Sequence, residues 1–232
     1  MDIENILKQF NQMGEIAVKT VGQFSEAALI TVEITFFSLL FATILGLGAA
    51  FLKLSTFKPL NWIANVYITI VRGTPLIVQV FIFYFGLVSF GITLEPFWAG
   101  VFALALHNGA YIAEIFRGSI QSIDRGQMEA ARSLGMSYPK AMQRIVLPQA
   151  FKRSIPPIAN QFIIGLKDSS LVAYIGVQEL WGQGLSEAAS NFMQFQTYAV
   201  NGLYYLALVL IFTLLVNRLE KRLDVDAKGS HT

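Results

Sequence analysis

The chain has no cysteine, and only 14% of its 232 residues are charged. The first absence excludes disulfides, thiolate metal sites and thiol catalysis. The second, together with 54% apolar residues and a mean hydropathy of +0.54, sets the chain apart from ordinary soluble domains and among membrane proteins. No G-x-x-x-x-G-K-[ST] phosphate loop occurs, so the chain does not hydrolyse ATP by that route. Long apolar runs without period-two alternation exclude an outer-membrane barrel. There are no paired carboxylates on one face, no metal-ligand set and no nucleophile elbow, so a membrane enzyme is a distant reading. The two histidines, His107 and His231, form no metal cluster, and nothing calls for a nucleic-acid partner. No internal repeat is evident. The start, MDIENILKQF, is acidic and lacks a basic n-region, so the first span is expected to act as its own insertion signal. The closing GSHT reads as a cloning scar and is left out of the reasoning.

What is present is a series of apolar stretches of the roughly 20 residues needed to cross a hydrocarbon core. Five are expected, at about 27–52, 61–90, 96–116, 155–176 and 198–216. Ahead of them, Ile3, Ile6, Leu7, Phe10, Met13 and Ala17 recur at helical spacing, which suits an amphipathic helix in the membrane interface. The basic residues fix the orientation. Lys53 and Lys58 follow the first span, Arg125 to Arg153 lie between the third and fourth, and Arg218, Lys221 and Arg222 follow the fifth. The loops after the second and fourth spans have neither Lys nor Arg. The N-terminus is therefore expected outside and the C-terminus inside.

Inside the spans, charge is the informative feature. An ionised side chain at mid-span costs about 2.5–3.5 kcal/mol on insertion scales. Arg72 stands in the second stretch, beside Gly73-Thr74-Pro75. Pro75 cannot bond to the carbonyl four residues back and Gly73 loosens the backbone, so a helix break is expected there. Broken helices at mid-membrane point to a transported ligand. Glu114 is three residues from Arg117, at ion-pair spacing. Lys167-Asp168-Ser169 falls in the middle of the fourth stretch. Adjacent residues on a helix do not face one another, so Lys167 and Asp168 cannot neutralise each other without some unwinding. Either these groups form ion pairs between spans or they line a pocket for a zwitterion, with Lys167 or Arg72 on its carboxylate and Asp168 or Glu114 on its ammonium. Glu33, close to the outer end of the first span, is expected to reach water.

The one long polar, basic segment is residues 129–148, EAARSLGMSYPKAMQRIVLP. The D-x-x-Q spacing of Asp124 and Gln127 predicts a capping box and a helix from about Arg125. Met128, Ala131 and Leu134 share a face, with Ala130 beside them. Gly135 ends this helix in the left-handed conformation, Ser137 caps a second one, and Leu147-Pro148 is expected to close it. Glu129-Ala130-Ala131, Gly135 and Leu147-Pro148 at this spacing resemble the EAA loop of bacterial ABC importer permeases. That resemblance implies a cytoplasmic coupling helix, carried by Glu129, Ala130, Ala131, Leu134 and Gly135, that docks on a partner ATPase. The bland alternative is an amphipathic hairpin lying on the membrane surface. The small alanines suit close approach of another backbone better than lipid.

Three further runs sharpen the resemblance: RGTPLIVQ at 72–79, HNGAYIAEIFRGSI at 107–120 and NQFIIGLKDSSLVAYIGVQEL at 160–180. They look like motifs of the polar amino-acid branch, the histidine, glutamine and arginine type. The fold so implied is all-α and integral to the bacterial inner membrane: five transmembrane helices with a cytoplasmic coupling hairpin, as in type I importers. The expected division is an interfacial segment 1–24, a permease domain 25–220 and a cytoplasmic tail 221–232. The resemblance implies Arg72, Thr74, Asn108, Glu114, Lys167, Asp168 and Ser169 as pocket residues. His107 departs from the small or amide residue expected before Asn108 and reads as a hydrogen-bonded packing residue. The implied partners are an ATPase dimer that binds ATP and magnesium, a second permease chain (a second copy or a homologous sister), an extracytoplasmic amino-acid-binding protein and the lipid bilayer. No cofactor is implied in this chain. The runner-up is a secondary transporter or channel driven by an ion gradient, which explains intramembrane charge equally well but not the hairpin.

Overall fold

The computed structural model describes residues 3–223. The elements are helical throughout: α1 (Ile3–Leu54), α2 (Lys58–Gly73), α3 (Leu76–Ser89), α4 (Pro96–Gln121), α5 (Arg125–Ser133), α6 (Tyr138–Ala141), α7 (Leu147–Asp168), α8 (Leu180–Asn191) and α9 (Gln194–Leu223). A π-helical stretch, Met142–Val146, joins α6 to α7, and a 3-10 stretch, Ser169–Ile175, follows α7. Among the described residues, three helices (α1, α4 and α9) are long and apolar enough to cross a membrane, and the broken pair α2 and α3 adds a fourth if taken as one span. The fourth expected stretch differs for a local reason. The helix that enters it, α7, carries Lys152 and Arg153 ahead of it and Lys167 and Asp168 within it, and the remainder is the 3-10 stretch.

The predicted break in the second stretch is present: α2 ends at Gly73 and α3 begins at Leu76. The segment ahead of the first span is not a separate element. α1 runs unbroken from Ile3 to Leu54, and Ile16, Thr20 and Phe24 are buried along it. The loop expected at 177–197 contains α8. The tail beyond Leu223 lies outside the described residues.

The chain divides into two compact units. One comprises the residues up to Ser38, Leu76–Leu104 and Ile163–Phe212; the other comprises Leu39–Pro75, Ala105–Phe162 and the residues from Thr213 on. In the first unit, Ile16, Phe24, Ala27, Leu180 and Val200 form an apolar cluster. Its polar keystone is Glu179, which is wholly buried. Glu179 caps α8: the Gly182 N–H donates to its Oε1 at 2.9 Å. The Tyr205 hydroxyl from α9 donates to Oε2 at 2.7 Å, and the Thr31 hydroxyl from α1 lies at 3.2 Å from the same oxygen. Thr31 Oγ1 also accepts the Leu180 N–H at 3.0 Å. One carboxylate thus ties three helices together, with the positive end of α8 supplying favourable field in place of a cation.

In the second unit, Ala42, Ala105, Ala110, Ile112 and Phe116 pack with Ile68. Small residues set the spacing of α1 and α4: a Cβ at Gly46 would meet Ile112 Cγ2 at 2.7 Å and the Gly109 carbonyl oxygen at 2.9 Å. α2 is pinned to α4 by the Tyr67 hydroxyl, which donates to the Leu106 carbonyl at 2.6 Å, and to α1 by the Asn61 amide on the Lys53 carbonyl. α9 leaves Leu203, Leu206, Leu210, Ile211, Leu214 and Leu215 exposed, as befits a helix facing lipid or another chain.

Glu179→Ala leaves a buried hydroxyl and a helix-start N–H without their acceptor, and is expected to destabilise the solubilised protein by about 2–4 kcal/mol. Tyr205→Phe, which removes one donor and strands nothing, should cost about 1 kcal/mol. Denaturation midpoints of the two variants measure the difference; equal values would remove Glu179 from the centre of this unit.

Candidate functional site

The hairpin at 125–148 forms its first helix and turn where the sequence places them, with differences in the caps. Asp124 caps α5, but through the Gly126 N–H at 2.6 Å. The capping box is not closed: the Gln127 side chain instead accepts from Gln149 Nε2 at 2.5 Å. At the other end Gly135 has φ +84°, and the bonds Gly135 N–H to Arg132 and Met136 N–H to Ala131 complete a Schellman turn. Met128 and Ala131 face inward, whereas Leu134 is 84% exposed. Leu134 is the C-cap, with ψ 10°, so it leaves the helical face that its spacing predicts for it. Glu129 and Ala130 are exposed beside it.

The second half of the hairpin does not close at Leu147-Pro148. Ser137 stands at the N-cap of α6 but makes no side-chain cap bond. Helical structure then runs on through the π-helical stretch into α7, with Pro148 in its first turn. A proline is tolerated there because the wider π register, like a helix start, leaves a position where no N–H is required.

Glu114 is a hub of charge in the second unit. Its Oε1 accepts from Lys53 Nζ at 2.6 Å. Its Oε2 accepts from Arg117 at 2.8 and 3.0 Å, the pair foreseen from the spacing. Arg72 approaches the same Oε2 only to 3.9 Å. Lys53, from α1, is the partner that local spacing cannot reveal, since it is 61 residues away in sequence. The Arg72 guanidinium lies 5.3 Å from the centroid of the Tyr111 ring, and Tyr111 in turn stacks on His107 with centroids 5.0 Å apart. Asn108 is buried and accepts from Gln161 Nε2 at 2.8 Å. Thr74 is exposed, with its hydroxyl on the Ile70 carbonyl at 2.8 Å.

Lys167, Asp168 and Ser169 belong to the first unit. The α-helix includes both Lys167 and Asp168 and tightens to 3-10 geometry only at Ser169, so the backbone does not unwind at the two charges themselves. Ser169 is buried and satisfied by the Leu166 carbonyl at 2.8 Å. The charged ends of Lys167 and Asp168 make no hydrogen bond among the described residues, nor does the Arg72 guanidinium. The structure therefore brings Arg72 and Glu114 together in one unit, with Asn108 and Thr74 separately satisfied there. It keeps Lys167, Asp168 and Ser169 contiguous in the other.

Glu114→Gln leaves three cations without their shared anion and should cost about 3 kcal/mol. Adding Lys53→Met to that variant removes one uncompensated charge and should recover part of the loss. Midpoints of thermal denaturation for the single and double variants test this; a double variant weaker than the single one would contradict it.

Comparison with known proteins adds the following. The sequence profile described as "Binding-protein-dependent transport system inner membrane component" matches residues 42–225. The chain is 42% identical over 181 residues to the probable glutamine ABC transporter permease protein GlnM of Bacillus subtilis (strain 168), covering 78% of this chain and 84% of that protein. It is 40% identical over 199 residues to the arginine transport system permease protein ArtQ of the same organism, covering 85% and 91%. Among solved structures, a chain of an amino acid ABC transporter crystallised with histidines superposes with a TM-score of 0.85 at 39% identity, over 88% of this chain and 96% of that one.

Proposed function

Because the chain belongs to the family of binding-protein-dependent transport system inner membrane components, we propose that Arg72, Lys167 and Asp168 read the zwitterion of a polar amino acid passing into the cytoplasm. The chain is a permease subunit of an amino-acid importer of the ATP-binding cassette class, with the all-helical fold of type I permeases, and it is not an enzyme. The relatives named for glutamine, arginine and cystine support a polar substrate.

One observation carries the reading. Arg72 lies in the broken pair α2 and α3, and Lys167 and Asp168 close α7; among the described residues their charged atoms make no hydrogen bond, and Arg72 has only the 3.9 Å approach to Glu114. Such groups are costly within a membrane unless something pairs with them, and a zwitterion supplies both signs. Arg72 and Lys167 suit a carboxylate, and Asp168 suits an ammonium. Within the second unit Thr74 follows Arg72 two residues on in the chain and Glu114 approaches its guanidinium to 3.9 Å; within the first unit Ser169 directly follows Asp168. The two groups of residues belong to different units, and their roles are proposed and tested separately.

The rest of the assembly follows from the family. An ATPase dimer binds ATP and magnesium and docks on Glu129, Ala130, Ala131, Leu134 and Gly135. A second permease chain, identical or homologous, completes the membrane pathway. A soluble protein outside delivers the amino acid. The N-terminus lies outside and the C-terminus inside, as the basic loops require.

Two experiments test this. Since the chain has no cysteine, single cysteines report topology cleanly. Gln127→Cys should react with an impermeant thiol reagent only from the cytoplasmic side, and Ser190→Cys only from the outside; labelling of both from one side contradicts the orientation. Asp168→Asn keeps shape and hydrogen-bonding capacity but removes the charge. It should abolish uptake by an intact complex and suppress the thermal stabilisation that a bound amino acid gives by mass action. A less stable complex whose surviving fraction still responds to amino acid would make Asp168 a purely structural residue.

A further inference from the structure

Arg72 is the loose member of the Glu114 cluster. Its closest approach to the carboxylate is 3.9 Å, against 2.6 Å for Lys53 and 2.8 Å for Arg117. Its side chain is 46% exposed. A guanidinium has five N–H donors, and here none makes a hydrogen bond among the described residues. Its Cζ also lies over the Tyr111 ring, 5.3 Å from the centroid, within the roughly 6 Å range of cation–π attraction. That attraction uses the charge of the guanidinium and leaves its N–H bonds available to an acceptor. Tyr111 is itself held. It stacks on His107 one helical turn earlier, and His107 is buried.

Glu114 does not compete strongly for Arg72, because Lys53 and Arg117 already occupy both its oxygens at short range. The cluster carries three cations and one carboxylate, an excess of positive charge that falls mainly on Arg72. We propose that Tyr111 is a positioning residue for substrate recognition: it holds the Arg72 guanidinium ready for the α-carboxylate of the transported amino acid. This rests on the carboxylate-binding role given to Arg72 above. Glu114 then has a different part from the one its charge suggests. It fixes Lys53 and Arg117 and leaves the third cation to the ligand.

The test uses the complete permease–ATPase complex in detergent, titrated with L-glutamine, L-arginine and L-cystine and with the corresponding carboxamides. The wild type should bind at least one acid in preference to its amide. Arg72→Gln should erase that preference. Tyr111→Leu should weaken binding of the acid about three- to thirtyfold and narrow the acid-to-amide ratio, whereas Tyr111→Phe, which keeps the ring, should stay near wild type. In the Arg72→Gln background, Tyr111→Leu should add no further loss, because the two act through one contact. If Arg72→Gln weakens binding and Tyr111→Leu does not, the positioning role is overturned and the role of Arg72 stands. If Tyr111→Leu lowers stability but leaves the acid-to-amide ratio unchanged, Tyr111 is a packing residue and the inference fails. If Arg72→Gln changes nothing, or the wild type prefers none of the acids, the carboxylate-binding role fails and the inference falls with it.

Discussion

Charge in an apolar interior has to be matched, and this constraint orders the molecule. Glu114 and Glu179 satisfy it by opposite means. Glu114 gathers cations from three helices, so its charge is met by ions and more than offset. Glu179 has no cation within its contacts; a helix N-terminus and two hydroxyls surround it. The first solution leaves positive charge over, and the second leaves none. That difference separates their parts: Glu179 is architecture, whereas the Glu114 cluster presents Arg72 with unused donors. Carboxylates of equal sequence prominence thus differ because of what the fold puts around them.

The backbone departs from α-helical geometry at the places where polar groups collect. The α2–α3 break follows Arg72. The 3-10 stretch starts directly after Lys167 and Asp168. The π-helical stretch joins the coupling hairpin to α7. In a membrane segment, each such departure frees carbonyls or N–H groups that must find protein or a polar cavity. A sequence keeps these irregularities where a ligand or a moving contact uses them, since elsewhere a plain helix is the lower-energy choice.

The sequence was legible where the governing contact is local. Composition alone exposed the apolar stretches, Pro75 marked the break, and Gly135 marked the left-handed turn. Glu114 and Arg117 revealed themselves by i,i+3 spacing. Lys53 did not, because nothing in its neighbourhood signals a partner 61 residues away; it read as one more basic residue on the inner side. α8 was missed because its residues, LWGQGLSEAASN, mix apolar, small and polar types without a strong stripe, and its formation depends on Glu179 and the buried contacts of Leu180, Gly184 and Ala188. Leu134 was assigned by helical phase to a face that the chain leaves one residue too soon. Pro148 was read as a stop because the π register that accommodates it has no sequence signature. The choice between an ATP-driven and a gradient-driven transporter, open from intramembrane charge alone, falls to the former with the family match.

Helical structure from Tyr138 to Asp168 places the second half of the coupling hairpin and the Lys167–Asp168 pair on one continuous run of chain. A uniform α-helix of that length would behave as a stiff rod. This one does not, for two reasons. The π-helical stretch at Met142–Val146 loosens its start, and Pro156 and Pro157 sit inside α7. Each proline removes one backbone hydrogen bond and crowds the carbonyl four residues earlier, and kinks concentrate at such residues. The carbonyls so freed are those of Lys152 and Arg153, one turn before the pair. The irregularity of α7 is thus a property of its own covalent sequence, fixed by where its prolines stand.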